Sequence, residues 1–179
     1  MPKKALFLDR DGTIIIDTDY PNDPGKVAFL PGTPEALREV QKEYELIVIS
    51  NQSGVGRGLI TAEQFQSVHE QFVKMLKLEK IEVAGFYYCP HAPEENCDCR
   101  KPSPKMILDA AAEHGIDLHS SFMIGDKMSD VIAGRRAGCK TILIASVDSE
   151  LFTESKDKYE GLSTSDLNQA INMILTKRG

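Results

Sequence analysis

Two acidic residues follow the first apolar run of the sequence directly. Residues 5–8 are all apolar, and Asp9, Asp11 and Gly12 come just after them. An apolar run without alternation is typical of a strand buried in a parallel sheet, and open α/β sheets bind ligands at the carboxyl ends of their strands. Both aspartates can face one site only if the chain turns at Arg10, which Gly12 permits. The alternative is that they simply mark a strand-to-loop junction.

Polar side chains follow two later apolar runs in the same way. Ser50 comes directly after residues 46–49, and Asp126 follows residues 122–124, with Asp130 four residues further on. We expect these side chains to meet at the edge of one sheet, since ligands of such sheets bind at the strand ends. Carboxylates without a competing thiolate suit Mg²⁺, which takes one or two carboxylates together with phosphate oxygens.

A phosphoryl group fits the remaining polar residues. The hydroxyl of Ser50, the amine of Lys101 and the amides of the glycine-rich stretch 54–58 could stabilise its charged oxygens. An aspartate can attack phosphorus and form an acyl phosphate. The alternatives are that Arg100 and Lys101 form a solvated basic pair, and that Asp130 is a surface acid in the first turn of a helix.

One short segment, residues 89–99, holds three of the four cysteines and one of the four histidines. Cys89, His91, Cys97 and Cys99 could bind Zn²⁺ as a closed tetrahedral site with no open position, which would make the zinc structural. Disulfides or free thiols are the alternatives, and an odd number of cysteines in the segment counts against disulfides. The spacing departs from the common two-residue knuckle.

Length and charge limit the function classes. A chain of 179 residues suits one domain, which we expect to span residues 1–179. The net charge of −6 argues against a nucleic-acid partner, which would need a broad basic surface. We find no long apolar segment that could be a signal peptide or span a membrane, so we expect a cytoplasmic protein and, by default, a monomer.

Strand and helix patterns alternate along the chain, which predicts a doubly wound, Rossmann-like α/β fold with a parallel sheet. The predicted strands cover residues 5–8, 46–49, 83–88, 122–124 and 141–144. The first predicted helix has Thr33 as its N-cap. The later predicted helices cover residues 61–78, 103–114, 127–137 and 165–177. The intervals between the polar strand ends are filled by these elements and the cysteine segment, so no separate cap domain fits.

Taken together, four motifs resemble those of the haloacid dehalogenase-type phosphatases. They are Asp9-x-Asp11-Gly12-Thr13, Ser50-Asn51-Gln52 after a strand, Arg100-Lys101-Pro102, and Gly125-Asp126-x-x-x-Asp130. Each motif is weak alone, but their order and strand context agree. The segments Asn51–Gly54 and Cys89–Pro102 are more narrowly similar to heptose bisphosphate phosphatases, with histidinol-phosphate phosphatases as near relatives. This narrower match also supports zinc at Cys89, His91, Cys97 and Cys99.

The resemblance implies a role for each motif residue. Asp9 would be the nucleophile and a Mg²⁺ ligand, while Asp11 would protonate the leaving sugar oxygen, deprotonate the hydrolytic water and give its backbone carbonyl to Mg²⁺. Asp126 would complete the Mg²⁺ ligands, and Asp130 would support them from behind. Ser50 and Lys101 would hold phosphoryl oxygens.

The resemblance also implies which residues line the sugar and its distal phosphate. They are Asp17, Thr18, Asp19, Tyr20, Asn51, Gln52, Ser53, Arg100 and Lys127. Arg100 best suits the second phosphate, because a guanidinium group binds phosphate in a bidentate manner.

The expected activity is Mg²⁺-dependent removal of the 7-phosphate from D-glycero-D-manno-heptose 1,7-bisphosphate through a phosphoaspartate, in nucleotide-heptose and lipopolysaccharide biosynthesis. Three alternatives stay open at this point. The substrate could be histidinol phosphate, which has a cationic amine and no second phosphate. The chain could be a receiver-type switch that keeps its phosphoaspartate, although Asp11 and the cysteine segment disfavour that. It could also be a phosphosugar-binding module without catalysis.

Overall fold

Six parallel strands form one sheet in the order β3-β2-β1-β4-β5-β6 within the part of the chain that the structure describes. The structure is a computed structural model, and it describes residues 2–145 and 161–176. The strands are β1 (Ala5–Leu8), β2 (Glu45–Asn51), β3 (Gly85–Cys89), β4 (Phe122–Gly125), β5 (Lys140–Ile144) and β6 (Leu162–Thr164).

Five of these strands were expected from the sequence, whereas β6 was not. It contains three residues, of which only Leu162 is apolar, so it is too short to show a hydrophobic pattern. It pairs at the sheet edge with β5, where Leu162 lies opposite Ile142. Backbone pairing rather than side-chain burial defines this strand.

Helices connect the strands. They are α1 (Thr33–Val40), α2 (Ser53–Gly56), α3 (Ala62–Leu78), α4 (Lys105–His114), α5 (Met128–Ala137) and α6 (Leu167–Thr176). Thr61 caps α3 as expected: its side chain accepts from the Gln64 amide, and the Gln64 side chain accepts from the Thr61 amide. The expected cap at Thr33 is wrong, because Thr33 is the first helical residue and Gly32 precedes it with φ 75°.

Both faces of the sheet are buried under helices. In β1, Leu6 and Leu8 belong to the cluster that contains the apolar residues of α1 and α6, whereas Ala5 and Phe7 pack with those of α4. All four side chains are at most 1% exposed. This arrangement confirms the doubly wound parallel sheet and explains why the apolar run of β1 shows no alternation.

The sheet edge at the carboxyl ends of β1, β2 and β4 is where the predicted site residues emerge. The three strands are neighbours and parallel, and the Asp9 amide donates to the Ile124 carbonyl at 3.0 Å, which extends the pairing one residue past β1. The described interval between Asp11 and Lys101 holds no second sheet, in agreement with the expected lack of a cap. No second sheet of this interval therefore covers the carboxyl ends of β1, β2 and β4.

Within residues 2–145 and 161–176, no helix combines the length and the apolar character that a membrane span requires. The single domain over residues 1–179, the cytoplasmic location and the monomeric state stay predictions of the sequence.

Candidate active site

Three carboxylates converge at the edge of the sheet. Asp9 directly follows β1, Asp126 directly follows β4, and Asp130 lies in the first turn of α5. One oxygen of each lies within 4.8 Å of the others. Gly12 makes this approach possible: a Cβ atom there would stand 2.5 Å from the Asp126 Oδ2 atom, and its φ of 78° is left-handed.

A buried lysine holds two of these carboxylates. The Nζ atom of Lys101 lies 2.8 Å from Asp9 Oδ1 and 2.5 Å from Asp130 Oδ1, and it donates to the Ile49 carbonyl at 2.7 Å. Lys101 is 3% exposed. Burial alone would lower the pKa of Lys101, but the charges of Asp130 and Asp9 raise it above its ordinary value. The lysine is therefore a permanent cation beside Asp9.

Asp126 lies where its ionised form is disfavoured. Burial and the negative charge of Asp9 raise the pKa of Asp126 to about 7, although Lys127 opposes the shift. Its Oδ1 atom is buried and has no hydrogen-bond partner among the described residues. Carboxylate oxygens in this arrangement are the ligands that Mg²⁺ prefers, and a divalent ion would remove the repulsion. The residues therefore fit a magnesium ion.

Asp11 points its carboxylate towards a different set of partners. Arg10 donates to it from Nε at 3.2 Å to Oδ1 and from Nη2 at 2.9 Å to Oδ2, and Gln52 donates to Oδ2 at 2.7 Å. Burial raises the pKa of Asp11, while the neighbouring guanidinium of Arg10 lowers it. The Asp11 carboxylate thus makes its hydrogen bonds with Arg10 and Gln52, and it is not one of the three clustered carboxylates.

Ser50 and Gln52 belong to the same buried network. Ser50 is 1% exposed, and its Oγ atom accepts a hydrogen bond from Gln52 Nε2 at 2.9 Å. Gln52 is 5% exposed, and its carbonyl oxygen accepts from Arg10 Nη2 at 2.9 Å. The sequence predicted Gln52 as a substrate-lining residue. In the structure, its side-chain amide forms hydrogen bonds with Arg10, Asp11 and Ser50.

Asn51 clamps the backbone of Lys101. Its Oδ1 atom accepts from the Lys101 amide at 3.0 Å, and its Nδ2 atom donates to the Lys101 carbonyl at 3.0 Å. Ser53, the next residue but one, begins α2. Asn51 was expected to line the substrate, yet both of its side-chain groups are engaged in fixing the residue that carries the active-site amine.

The exposed loop with Asp17, Thr18, Asp19 and Tyr20 lies beside this network. Lys127 Nζ stands 3.5 Å from Asp17 Oδ2 and 3.9 Å from Asp126 Oδ2, which places the loop next to the carboxylate cluster. The Tyr20 ring covers Gly54 so closely that a Cβ atom at Gly54 would stand 2.7 Å from Tyr20 Cδ1. The loop and α2 thus form one wall of the open site.

The cysteine segment forms a compact cluster of four ligand groups. Sγ of Cys99 lies 3.4 Å from His91 Nδ1 and 3.6 Å from Cys97 Sγ, and Sγ of Cys89 lies 3.5 Å from Cys97 Sγ. With zinc–sulfur bonds of about 2.3 Å, the sulfur atoms of a tetrahedral site lie about 3.8 Å apart. None of these cysteines forms a disulfide. The three thiols and the imidazole therefore fit a zinc ion.

Backbone hydrogen bonds fasten the cysteine segment to the site. The Gln52 amide donates to the Cys89 carbonyl at 2.7 Å, and the Gly56 amide donates to the Pro90 carbonyl at 2.8 Å. Arg100 follows the last cysteine and donates to the His91 carbonyl at 3.4 Å. Arg57 is exposed and stands 3.9 Å from Glu94, so its described partner lies in the cysteine segment.

Comparison with known proteins agrees with this geometry. A HAD-hydrolase-like family model matches residues 98–158. The chain is 48% identical over 143 residues to a D-glycero-beta-D-manno-heptose-1,7-bisphosphate 7-phosphatase of Helicobacter pylori, covering 79% of this chain and 82% of the relative. It is 38% identical to the enzyme of that name from Pasteurella multocida, covering 94% and 97% of the two chains. The chain belongs to this family of heptose bisphosphate phosphatases.

A solved structure of the same family has the same fold. The D,D-heptose 1,7-bisphosphate phosphatase from B. bronchiseptica, complexed with magnesium and phosphate, superposes with a TM-score of 0.86. It is 28% identical and the match covers 97% of this chain and 99% of the other. Membership in the heptose bisphosphate phosphatase family confirms the resemblance and the fold that the motifs predicted.

Sequence reasoning missed one residue of this family member's site. Arg10 was treated only as the point where the chain turns, but it is 0% exposed and bound to Asp11 and Gln52. The sequence position of Arg10 could have indicated this. Arg10 lies between two aspartates at the end of a strand that is buried on both faces. A charged side chain that cannot reach solvent there requires a buried partner.

Replacing Asn51 tests the clamp on Lys101. We expect Asn51→Ala to lower the free energy of unfolding by about 1–2 kcal/mol, because two backbone groups lose their partner. Urea unfolding measures this change. Asn172→Ala removes an exposed asparagine of α6 and should change stability by no more than about 0.5 kcal/mol. Equal small effects of both substitutions would contradict the clamp.

Proposed function

We propose that this chain is a Mg²⁺-dependent phosphomonoesterase that removes the 7-phosphate of D-glycero-D-manno-heptose 1,7-bisphosphate through a phosphoaspartate. The observation that carries the proposal is the convergence of Asp9, Asp126 and Asp130 around the Lys101 amine. The names of the relatives support the substrate. They also specify the β anomer, which we extend to this chain.

We infer that Asp9, Asp126 and the backbone carbonyl of Asp11 hold the magnesium ion. The buried, unpartnered Oδ1 atom of Asp126 supports this assignment. When bound, the ion would neutralise charge on the phosphoryl oxygens and on Asp9. Asp130 would support the site without binding the ion. Its carboxylate pairs with the Lys101 amine and accepts a hydrogen bond from the Lys127 backbone amide at 3.0 Å.

In the first step, a carboxylate oxygen of Asp9 attacks phosphorus and a new O–P bond forms. The bond between phosphorus and the sugar oxygen breaks, and the leaving oxygen takes a proton from the Asp11 carboxyl group. The Ser50 hydroxyl and the Lys101 ammonium donate to the phosphoryl oxygens as their charge redistributes. The products of this step are heptose 1-phosphate with a free 7-hydroxyl group and an acyl phosphate on Asp9.

In the second step, the Asp11 carboxylate takes a proton from water, and the water oxygen attacks the same phosphorus. The bond between phosphorus and Asp9 breaks, which releases inorganic phosphate and regenerates the Asp9 carboxylate. Asp11 ends the cycle protonated, as it began. Proton transfer of this kind accelerates reactions typically by ~10²–10⁴-fold.

Arg100 and Lys127 are the cations that we assign to the distal phosphate. They flank the site from the cysteine segment and from the start of α5, and Lys127 is exposed. We assign the sugar hydroxyls to the loop with Asp17, Thr18, Asp19 and Tyr20, and to Ser53. An open site without a cap suits a terminal phosphate on a small sugar.

We also propose a structural zinc ion at Cys89, His91, Cys97 and Cys99. Four protein ligands leave no open position, so the ion takes no part in the reaction. Its contribution is to fold a polar loop that has almost no core of its own, and to fix the chain just before Arg100 and Lys101. The 3.4–3.6 Å separations between the ligand atoms support this proposal.

Phosphate release tests the proposed reaction. With Mg²⁺, we expect the chain to hydrolyse heptose 1,7-bisphosphate, and we expect Asp9→Asn to lose at least about 10³-fold in kcat because the nucleophile is gone. Asp109→Asn, on the exposed face of α4, should leave kcat unchanged. Both anomers, histidinol phosphate and simple sugar phosphates are compared. A preference for histidinol phosphate would contradict the proposed substrate. Stoichiometric phosphorylation of the protein without turnover would favour a receiver-type switch.

Metal analysis tests the zinc site. We expect about one equivalent of zinc per chain after purification, and clearly less in Cys97→Ser, because a hydroxyl is a weaker zinc ligand than a thiolate. Cys139→Ala is the matched control: Cys139 is a buried cysteine outside the cluster, and this variant should keep its zinc. A zinc content far below one equivalent in the unmodified protein would remove the site.

A further inference from the structure

Arg10 is the largest side chain that is fully buried in the described part of the molecule. Its guanidinium carbon lies 5.9 Å from the ring centre of Phe65 on α3 and 5.7 Å from that of Tyr88 on β3. Both distances allow a cation–π interaction. The two rings contact each other edge to face, with their centres 5.0 Å apart, and the guanidinium group packs beside this ring pair.

The Nε and Nη2 donors of Arg10 are directed at Asp11 and Gln52, whereas its buried Nη1 atom has no hydrogen-bond partner among the described residues. The Nε atom lies 3.2 and 3.1 Å from the two Asp11 oxygens, and Nη2 donates to Asp11 Oδ2 and to Gln52 Oε1, each at 2.9 Å. The Gln52 amide donates to the same Asp11 oxygen at 2.7 Å. Together they fix the orientation of the Asp11 carboxylate.

The backbone of Arg10 supports the same loop. Its carbonyl accepts hydrogen bonds from the amides of Ile14 and Ile15 at 2.9 and 3.1 Å. The turn that brings Asp11 over the sheet edge is thus closed on Arg10, and the side chain of Arg10 then holds the carboxylate that the turn carries.

Stability alone does not explain this arrangement. Removing a guanidinium and a carboxylate from water has a large desolvation cost, and apolar residues of similar volume are often as stable or more stable. A buried pair of this kind is informative when one partner has a task that requires a fixed orientation. Asp11 has such a task in the proposed reaction.

We propose that Arg10 is a positioning residue, which orients the Asp11 carboxyl group for proton transfer to the leaving oxygen and from the attacking water. This inference rests on the proposed function. Arg10 takes no part in bond making, since its contacts are with Asp11, Gln52 and the two rings. Gln52 fixes the same oxygen, so loss of Arg10 weakens the orientation without abolishing it.

The leaving group distinguishes positioning from general structural support. A sugar oxygen leaves as a strongly basic alkoxide and needs the Asp11 proton, whereas p-nitrophenolate is a weak base and leaves without it. A badly oriented Asp11 therefore slows the first step for a sugar phosphate but not for p-nitrophenyl phosphate. The second step is the same for both substrates, since both leave the same acyl phosphate on Asp9.

The experiment measures the first step in single-turnover and burst kinetics with Mg²⁺, for Arg10→Met, Arg10→Lys and the unmodified protein. We expect Arg10→Met to slow phosphoryl transfer from heptose 1,7-bisphosphate by roughly 10–100-fold with little change in KM. The burst of p-nitrophenol should change by less than about threefold, followed by slow turnover. Arg10→Lys should restore part of the loss, because it keeps the charge but not the fork of donors.

Arg38→Met is the matched control, since Arg38 pairs with Glu35 and Glu79 on the surface. It should leave the ratio of the two first-step rates unchanged. If circular dichroism shows that Arg10→Met does not fold, Tyr88→Leu and Phe65→Leu take its place. They remove the rings beside the guanidinium group without touching Asp11, and the same selective loss is expected at a smaller size.

An equal loss for both substrates, a loss confined to KM, or no change would each overturn the inference. The unmodified protein separates this failure from that of the proposed function. If it turns over heptose 1,7-bisphosphate while the variants keep the normal ratio of rates, only the role of Arg10 is removed. If it releases no phosphate from any sugar phosphate, the proposed function falls and the inference falls with it.

Discussion

Mutual repulsion among Asp9, Asp126 and Asp130 is the constraint on which the site depends. Their oxygens lie within 4.8 Å of one another where little water can screen them, and such an arrangement persists only with compensating positive charge. Lys101 supplies part of this positive charge. The negative charges of Asp130 and Asp9 in turn raise the pKa of Lys101. Burial and the charge of Asp9 raise the pKa of Asp126, and a bound divalent cation would favour its ionised form. A phosphate monoester and its magnesium ion suit this balance.

The position of Lys101 is consequently as important as its charge. The side chain reaches the carboxylates from a segment between the cysteine cluster and α4, which is far in sequence from β1 and β4. Asn51 holds the Lys101 backbone, and the Gln52 and Gly56 amides hold the Cys89 and Pro90 carbonyls. The cysteine cluster, α2 and the end of β2 thus form one support for the amine. The proposed zinc ion would therefore stabilise the segment that positions the Lys101 amine, without taking part in the reaction.

Much of this architecture could be predicted from the sequence, because strands buried on both faces are recognisable as unbroken apolar runs and parallel strands bring their carboxyl ends together. That reasoning located Asp9, Asp126 and Ser50 at one edge. It could not show that Gln52 and Asn51 turn inward to other protein groups, because their orientation depends on Arg10 and Lys101, which lie about 40–50 residues away along the chain. It also missed β6, which is defined by backbone pairing with β5 rather than by apolar side chains.

In the proposed reaction, Asp9 carries the phosphoryl group during turnover. The most direct measurement is mass spectrometry after the protein is mixed with heptose 1,7-bisphosphate and Mg²⁺ and rapidly reduced with borohydride, which converts an aspartyl phosphate to homoserine. We expect homoserine at position 9 and unchanged aspartate at position 11. Homoserine at another aspartate, or phosphate release without any modified residue, would contradict the proposed reaction.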